Sequence, residues 1–264
     1  MECVPPKQAS KTQNVLDFIS YKVIDLKMQL NPEKCEVLIV DFSRIKRLGF
    51  EFKLLNVNVR IVENAMVLGV KINKNLSWDE HISISIKKAN KSIYIIKKLF
   101  DCGFDSVEAL HAYTTYIRPH LEYCSVVWGS CLNSKLTNQL ERCQKRVLSA
   151  ILRKRVDREN YQQVLKDVGI PSLEERRSKC LIKFGRGLFI SRRFRQFLPN
   201  FITTESDRVL RSRKGILCMP TYKNNRYKLS TIPSIINLIN TEYIEKETIF
   251  GWSRSDAEIV EGKL

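Results

Sequence analysis

Apolar residues recur along this chain at two different spacings. Val15, Phe18, Ile19, Val23, Leu26 and Leu30 fall three and four apart, which predicts a helix over 12–30 stopped by Asn31-Pro32. Cys35 to Phe42 is short, β-branched and apolar, the composition of a buried strand, and a charged loop follows around Arg44 to Arg47. Between Phe50 and Ile72 apolar and polar residues alternate over two or three short strands. Gly69 lies alone inside that pattern, which usually marks a bulge or a close backbone approach. A piece of this size is too small to be an enzyme core alone.

The period changes at Ser77. Ser77-Trp78-Asp79-Glu80 has the form of a capping box, and Ile82, Ile86, Ala89, Ile93, Ile96 and Phe100 then make one continuous stripe. Asp105-Ser106-Val107-Glu108 offers a second start, with Val107, Leu110, Thr114 and Ile117 on its face until Pro119 kinks or ends it. Helix is expected again from His120 to Trp128. Leu136, Leu140, Cys143, Val147 and Ile151 form a third long stripe, ended near Arg153-Lys154-Arg155. A short helix over Tyr161 to Asp167 is closed by Gly169 and Pro171. Ser172-Leu173-Glu174-Glu175 is a further capping box, opening a helix toward Ile190. Beyond Arg195 periodicity fades, and partly irregular structure is expected.

Composition narrows the class. The 264 residues can bury a real core, and no stretch approaches the ~18 consecutive apolar residues of a membrane span. No basic region followed by an apolar run opens the chain, so a soluble, intracellular protein is expected. The eight cysteines contain no C-x-x-C pair and read as reduced thiols. His120, Cys124, Cys131 and Cys143 match no zinc-ligand spacing.

Charge changes the picture more. The formal net charge is +17, and Ser172 to Lys228 alone holds fifteen Lys or Arg against four acids, +11. A field of that sign draws polyanions, of which nucleic acid is the commonest in cells; the plain alternative is a merely soluble surface. On the helix after Ser77, the side away from the isoleucines carries Lys87, Lys91, Tyr94 and Lys98 at steps of four, three and four. Cations with an aromatic among them can follow a phosphate backbone and stack on a base, and they can equally be a solvated face. Arg142, Lys145, Arg146 and Arg153 decorate the third stripe helix with the same two readings. Cations and aromatics mix again in Arg192-Arg193-Phe194-Arg195 and in Tyr222, Lys223, Arg226, Tyr227 and Lys228.

Catalytic chemistry is harder to find. Two-metal catalysis needs converging carboxylates, and the chain has no Asp-Asp and no Asp-x-Asp. Asp79, Glu80, Asp105 and Glu108 are accounted for as helix-start acids. There is no phosphate loop, and Gly185-Arg186-Gly187 reads as a loop or helix break. His81, His111 and His120 are the general-base candidates, with a structural role favoured because His81 follows a helix start and His111 sits between helix faces.

The order of motifs then points to a family. Leu30-Asn31-Pro32-Glu33-Lys34-Cys35, Val67-Leu68-Gly69-Val70 and Leu76-Ser77-Trp78-Asp79-Glu80-His81-Ile82 resemble the stretch downstream of the catalytic box in non-LTR (jockey-like) retrotransposon reverse transcriptases. The similarity continues through Lys88-Ala89-Asn90-Lys91, Tyr113-Thr114-Thr115-Tyr116-Ile117-Arg118-Pro119 and Leu121-Glu122-Tyr123-Cys124. Leu140-Glu141-Arg142-Cys143-Gln144-Lys145-Arg146 and Ile170-Pro171-Ser172-Leu173-Glu174-Glu175-Arg176-Arg177 follow in order. Tyr227-Lys228-Leu229-Ser230-Thr231-Ile232-Pro233 and Asn237-Leu238-Ile239-Asn240 are similar to the family's closing segment.

The resemblance implies an α+β, predominantly helical chain with three parts. A palm remnant over 1–75, a small helix plus short antiparallel strands, would carry a primer-grip-like hairpin at Leu68, Gly69 and Val70. A thumb-like helical bundle would span 76–195, and a basic, partly irregular segment 196–264. The family's aromatic-Ala-Asp-Asp box would lie before the segment resembling Val4-Pro5-Pro6, and Tyr21 stands where a Trp is usual. RNA or RNA–DNA hybrid is therefore the expected partner, with the fingers and palm half supplied by another polypeptide. No polymerase activity and no cofactor are expected of this chain alone, Mg²⁺ being the full-length enzyme's ion. The alternative is a stand-alone basic helical module that binds nucleic acid or protein.

Overall fold

A computed structural model describes residues 9–42, 50–191, 219–222 and 225–245. The chain divides into two units, Met1–His81 and Ile82–Leu264. The charged loop at 44–47 and the cation–aromatic cluster at 192–195 lie outside the described residues, as do Lys223 and the side chain of Arg226.

In the first unit, α1 (Ala9–Asp25) is held to β2 (Lys53–Leu54) by a glutamine. Gln13 Oε1 accepts from the Lys53 amide at 2.9 Å, and its Nε2 donates to the Lys53 carbonyl at 2.8 Å. The Ser20 hydroxyl accepts from the Leu55 amide at 3.3 Å. These polar anchors decide which side of the helix faces inward. Leu16 packs on the core of Phe52, Leu54 and Val59, while Val15, Phe18 and Ile19 of the expected apolar stripe are exposed. The helix also ends five residues earlier than its pattern suggests.

The strands differ from expectation in pairing as well. The expected buried strand is reduced to β1 (Glu36–Leu38), half-buried, and it pairs in parallel with β4 (Arg60–Val62), Glu36 opposite Arg60. The set is therefore mixed, because β2 pairs antiparallel with β3 (Val57–Asn58), and β5 (Asn64–Val67) with β6 (Val70–Asn73). Gly69 sits in a hairpin turn rather than in a bulge. Val67 faces Val70 across a two-residue turn in which Leu68 (φ 48°) and Gly69 (φ 82°) both adopt the left-handed region. That is the type I′ requirement, which matches strand twist and which glycine meets without strain.

The first turn of α2 (Asp79–Asp101) secures this hairpin. The Lys71 amide donates to His81 Nδ1 at 3.3 Å, and Lys71 pairs with Glu80 at 3.4 Å. Ser77 makes no capping box: its hydroxyl accepts from the Asn73 side-chain amide at 2.8 Å, two residues before the helix begins.

The second unit is helical and follows its apolar stripes in α2 and in the helix of Leu136 to Ile151, but after Asp105 the expected face turns: Val107 is exposed and Ala109, Tyr113 and Ile117 are buried. Ile82, Ala89 and Ile96 of α2 are buried. The Asp105 box forms in full at the start of α3 (Ser106–Ala112). Pro119 does not end the run. A π-helical turn, Tyr113–Ile117, leads into α4 (Arg118–Glu122), so the proline sits in a first turn where its missing N–H is not needed. The helix expected from His120 to Trp128 is broken at Cys124 (φ 53°) before α5 (Ser125–Trp128).

α6 (Ser134–Leu152) buries Leu136, Leu140, Cys143, Val147 and Ile151 as its stripe predicts. α7 (Tyr161–Asp167) and α8 (Leu173–Ile190) follow, the latter capped by Ser172, whose hydroxyl accepts from the Glu175 amide at 3.1 Å. Gly185 and Gly187 lie inside α8, so they form no loop or break. In the C-terminal part the described residues are largely helical. After a short α9 (Asn225–Lys228), α10 (Thr231–Glu245) packs Ile235, Ile236 and Ile239 against Leu181.

A polar cluster lies inside this unit. Gln144 is fully buried; its amide accepts from the Tyr113 hydroxyl and donates to the Tyr161 hydroxyl at 3.1 Å and the Pro171 carbonyl at 3.2 Å. Tyr161 donates in turn to Glu141, whose other oxygen accepts from the Glu174 amide at 2.8 Å. Chiefly through burial, the Tyr113 and Tyr161 phenols are held above their ordinary 10.0, and the Cys143 thiol is pushed up from 9.0 to about 11. The folded chain therefore keeps protons that the unfolded chain releases, and stability falls as pH rises past 9.0 and then 10.0. Urea melts at neutral pH and just above pH 10.0 should show a lower midpoint in alkali, with a flatter pH dependence in Tyr113→Phe.

Candidate nucleic-acid interface

The groove between α2 and α6 is where the basic residues converge. Lys87 and Asn90, one helical turn apart on α2, face Arg142, Cys143 and Arg146 of α6 across a cavity of about 260 Å³. Arg146 Nη1 donates to Asn90 Oδ1 at 3.4 Å, and Cys143 Sγ donates to the same oxygen at 3.5 Å. The amide thus steers the guanidinium toward α2 without neutralising it. Lys87, Arg142 and Arg146 are exposed at this groove.

Round the side of α6, Arg142 and Arg146 line a second cavity of about 300 Å³ with Lys145 and Arg158. Lys145 is partly committed to the fold, its Nζ 4.5 Å from the centre of the buried Tyr161 ring. Between 142 and 158 there are seven Lys or Arg and one acid, Asp157. One Asp157 oxygen accepts from the Glu159 and Asn160 amides and the other lies 3.9 Å from Arg155, so the single acid offsets one of seven cations and the local field stays positive.

At the far end of α2, Tyr94 and Arg153 line a third cavity of about 450 Å³. Arg153 ends α6 in the left-handed conformation (φ 51°), and its guanidinium carbon lies 4.4 Å from the Phe100 ring centre. Tyr94 is two-thirds exposed and presents a free ring face for stacking.

The structure therefore brings Lys87 together with Arg142 and Arg146, sets Lys145 beside them, and joins Tyr94 to Arg153. Lys91 is exposed on α2, and Lys98 pairs with Asp101 at 3.9 Å. Leu68, Gly69 and Val70 belong to the other unit, where Leu68 stands at the hairpin tip with 86% of its surface exposed and Val70 is buried. Asn90, Gln139 and Arg158 line the site although none is singled out from the sequence as a binding residue. The i+3 spacing of Asn90 from Lys87 was the available signal for the first of them.

Catalytic groups do not gather here. His81 is buried and accepts from a backbone amide, and His111 is exposed. Among the described residues no three His, Cys, Asp or Glu side chains could hold a metal ion together, the His120, Cys124, Cys131 and Cys143 set included. No described helix is long and apolar enough to cross a membrane. The arrangement can hold a polyanion by charge, and it offers a ring for stacking. No family model, no curated protein and no solved structure matches this chain.

Proposed function

We propose that this chain is the palm-edge and thumb part of a non-LTR retrotransposon reverse transcriptase, holding template–primer or RNA without extending it. The facing of Lys87 and Asn90 on α2 with Arg142 and Arg146 on α6 carries this reading. Cations from two helices then meet phosphates along one groove, which a merely solvated surface does not require. The ordered motifs from Leu30 to Asn240 supply the family. The chain has no Asp-Asp pair with which to grip two divalent ions, so bond formation is assigned to another part of the polymerase.

Fluorescence anisotropy with a labelled RNA–DNA hybrid tests it. Affinity should fall steeply with salt, and the triple variant Lys87→Gln, Arg142→Gln, Arg146→Gln should lower the log–log salt slope by about 2–3. A slope unchanged by the three substitutions would remove the interface. Primer extension with Mg²⁺ is expected to stay at background.

A protein-binding role draws on a different observation. Val15, Phe18, Tyr21 and Ile24 of α1 are each more than half exposed, which suits a covering partner such as the rest of a palm.

A further inference from the structure

Arg177 is a buried charge with one nitrogen left over. It lies on α8, 94% buried, and its Nη1 has no hydrogen-bond partner among the described residues. Burial lowers its pKa, while Glu141, Glu174 and Glu122 raise it from a distance. Two of those carboxylates are engaged elsewhere, while Glu174 shares the cavity with Arg177. Glu141 serves Tyr161 and the Glu174 amide, and Glu122 is held in a two-pronged pair by the neighbouring Arg176. A guanidinium stays charged at any ordinary pH, so a buried N–H left over carries a desolvation cost.

Ser130 repeats the pattern. Its hydroxyl oxygen is also buried without a partner among the described residues. Both side chains line one cavity of about 590 Å³, lined also by residues of α5, α8 and α10. Gly129, next to Ser130, lets the arginine in: a β-carbon there would stand 3.2 Å from Arg177 Cδ. The same cavity is lined by Lys228 and Tyr222, whose ring centre lies 5.8 Å from Lys228 Nζ. Glu174 is the one acid among the described lining residues, and it suits a sugar hydroxyl rather than a phosphate.

We infer that this cavity binds a nucleoside monophosphate, its phosphate taken by Arg177, Ser130 and Lys228 and its base laid against Tyr222. Neither unpartnered atom is exposed in this structure, so binding requires a turn of the guanidinium and of the hydroxyl toward the cavity that their side chains line. The volume suits a ligand of that size. The cavity shares no lining residue with the α2–α6 groove, so it stands or falls apart from the interface proposed above.

The test is titration of the full chain with inorganic phosphate, adenosine 5′-monophosphate and adenosine, at ionic strength held constant with chloride. Thermal shift and calorimetry read it out. Phosphate and the monophosphate should raise the melting temperature saturably, the monophosphate at lower concentration, and adenosine should not. Arg177→Met should weaken the monophosphate by about tenfold to a hundredfold, and Ser130→Ala by about fivefold. Each variant is read against its own unliganded melting temperature, because Arg177 also feels Glu141, Glu174 and Glu122, and Ser130→Ala leaves those charges in place. Hybrid affinity should be unchanged in both variants, which separates this site from the groove. A 5′-phosphorylated tetranucleotide that binds while its 5′-hydroxyl form does not assigns the ligand to a strand end; a free monophosphate that binds alone assigns it to the nucleotide pool. No saturable shift, equal binding of adenosine, or a shift retained in Arg177→Met would each overturn the site.

Discussion

Gln144→Leu should cost roughly 3 kcal/mol of unfolding free energy, read from urea melts at neutral pH, because it strands several buried polar groups together. The side chain is fully buried and bonds to Tyr113, Tyr161 and the Pro171 carbonyl. Leucine fills similar space but answers none of them. Tyr161 keeps Glu141 as its acceptor, whereas the Tyr113 hydroxyl, on a fully buried ring, loses its acceptor. Each unsatisfied group costs about 1–3 kcal/mol, so the Tyr113 hydroxyl and the Pro171 carbonyl account for most of the loss. The check is a double-mutant cycle. Tyr113→Phe placed on top of Gln144→Leu should restore part of the stability, since it removes the stranded donor. A Gln144→Leu protein within about 1 kcal/mol of the parent would show that the cluster is not a buried hub.

Gly185→Ala should also destabilise, against the usual rule for a glycine in mid-helix. Alanine gains about 1 kcal/mol of helix propensity there. Its β-carbon, however, would stand 2.5 Å from Ile235 Cγ2, and Ile235 is wholly buried among its neighbours. Overpacking of that kind costs about 1–3 kcal/mol. Release of α10 instead would expose Ile235 and Ile236, each worth about 1.5–3 kcal/mol of burial. The expected result is a net loss of roughly 1–2 kcal/mol, with amide exchange rising first across Thr231–Glu245. Gly187→Ala is the control: that position is exposed, nothing lies within 4 Å of its would-be β-carbon, and stability should rise by up to about 1 kcal/mol. If both alanines stabilise, the close approach of α8 and α10 is not real.

The long helices were legible because their apolar stripes have only one side to bury. α6 turns Leu136, Leu140, Cys143, Val147 and Ile151 inward as their spacing requires, and the Gly169-Pro171 stop after α7 holds to the residue. α10 carried the same signal. Ile232, Ile235, Ile236 and Ile239 are spaced for one helical face, but Pro233 reads as a breaker. It lies in the first turn, where a missing N–H costs nothing. The inward side of α1 was not legible, because it is chosen by Gln13 and Ser20 meeting a strand some forty residues away. The parallel pairing of β1 with β4 is equally a long-range choice that local pattern does not encode. At the candidate interface the cations were visible as residue types. Which of them share a groove depended on how α2 and α6 pack.

The docking of α10 on α8 also sets a timetable for synthesis. Gly185 and Ile235 are 50 residues apart, so at ~5–20 residues per second roughly 3–10 s separate their emergence from the ribosome. Through that interval Leu181 on the nascent chain waits for the isoleucines that cover it. A chaperone that shields apolar surface would act in that window, and slow codons between the two helices would lengthen it.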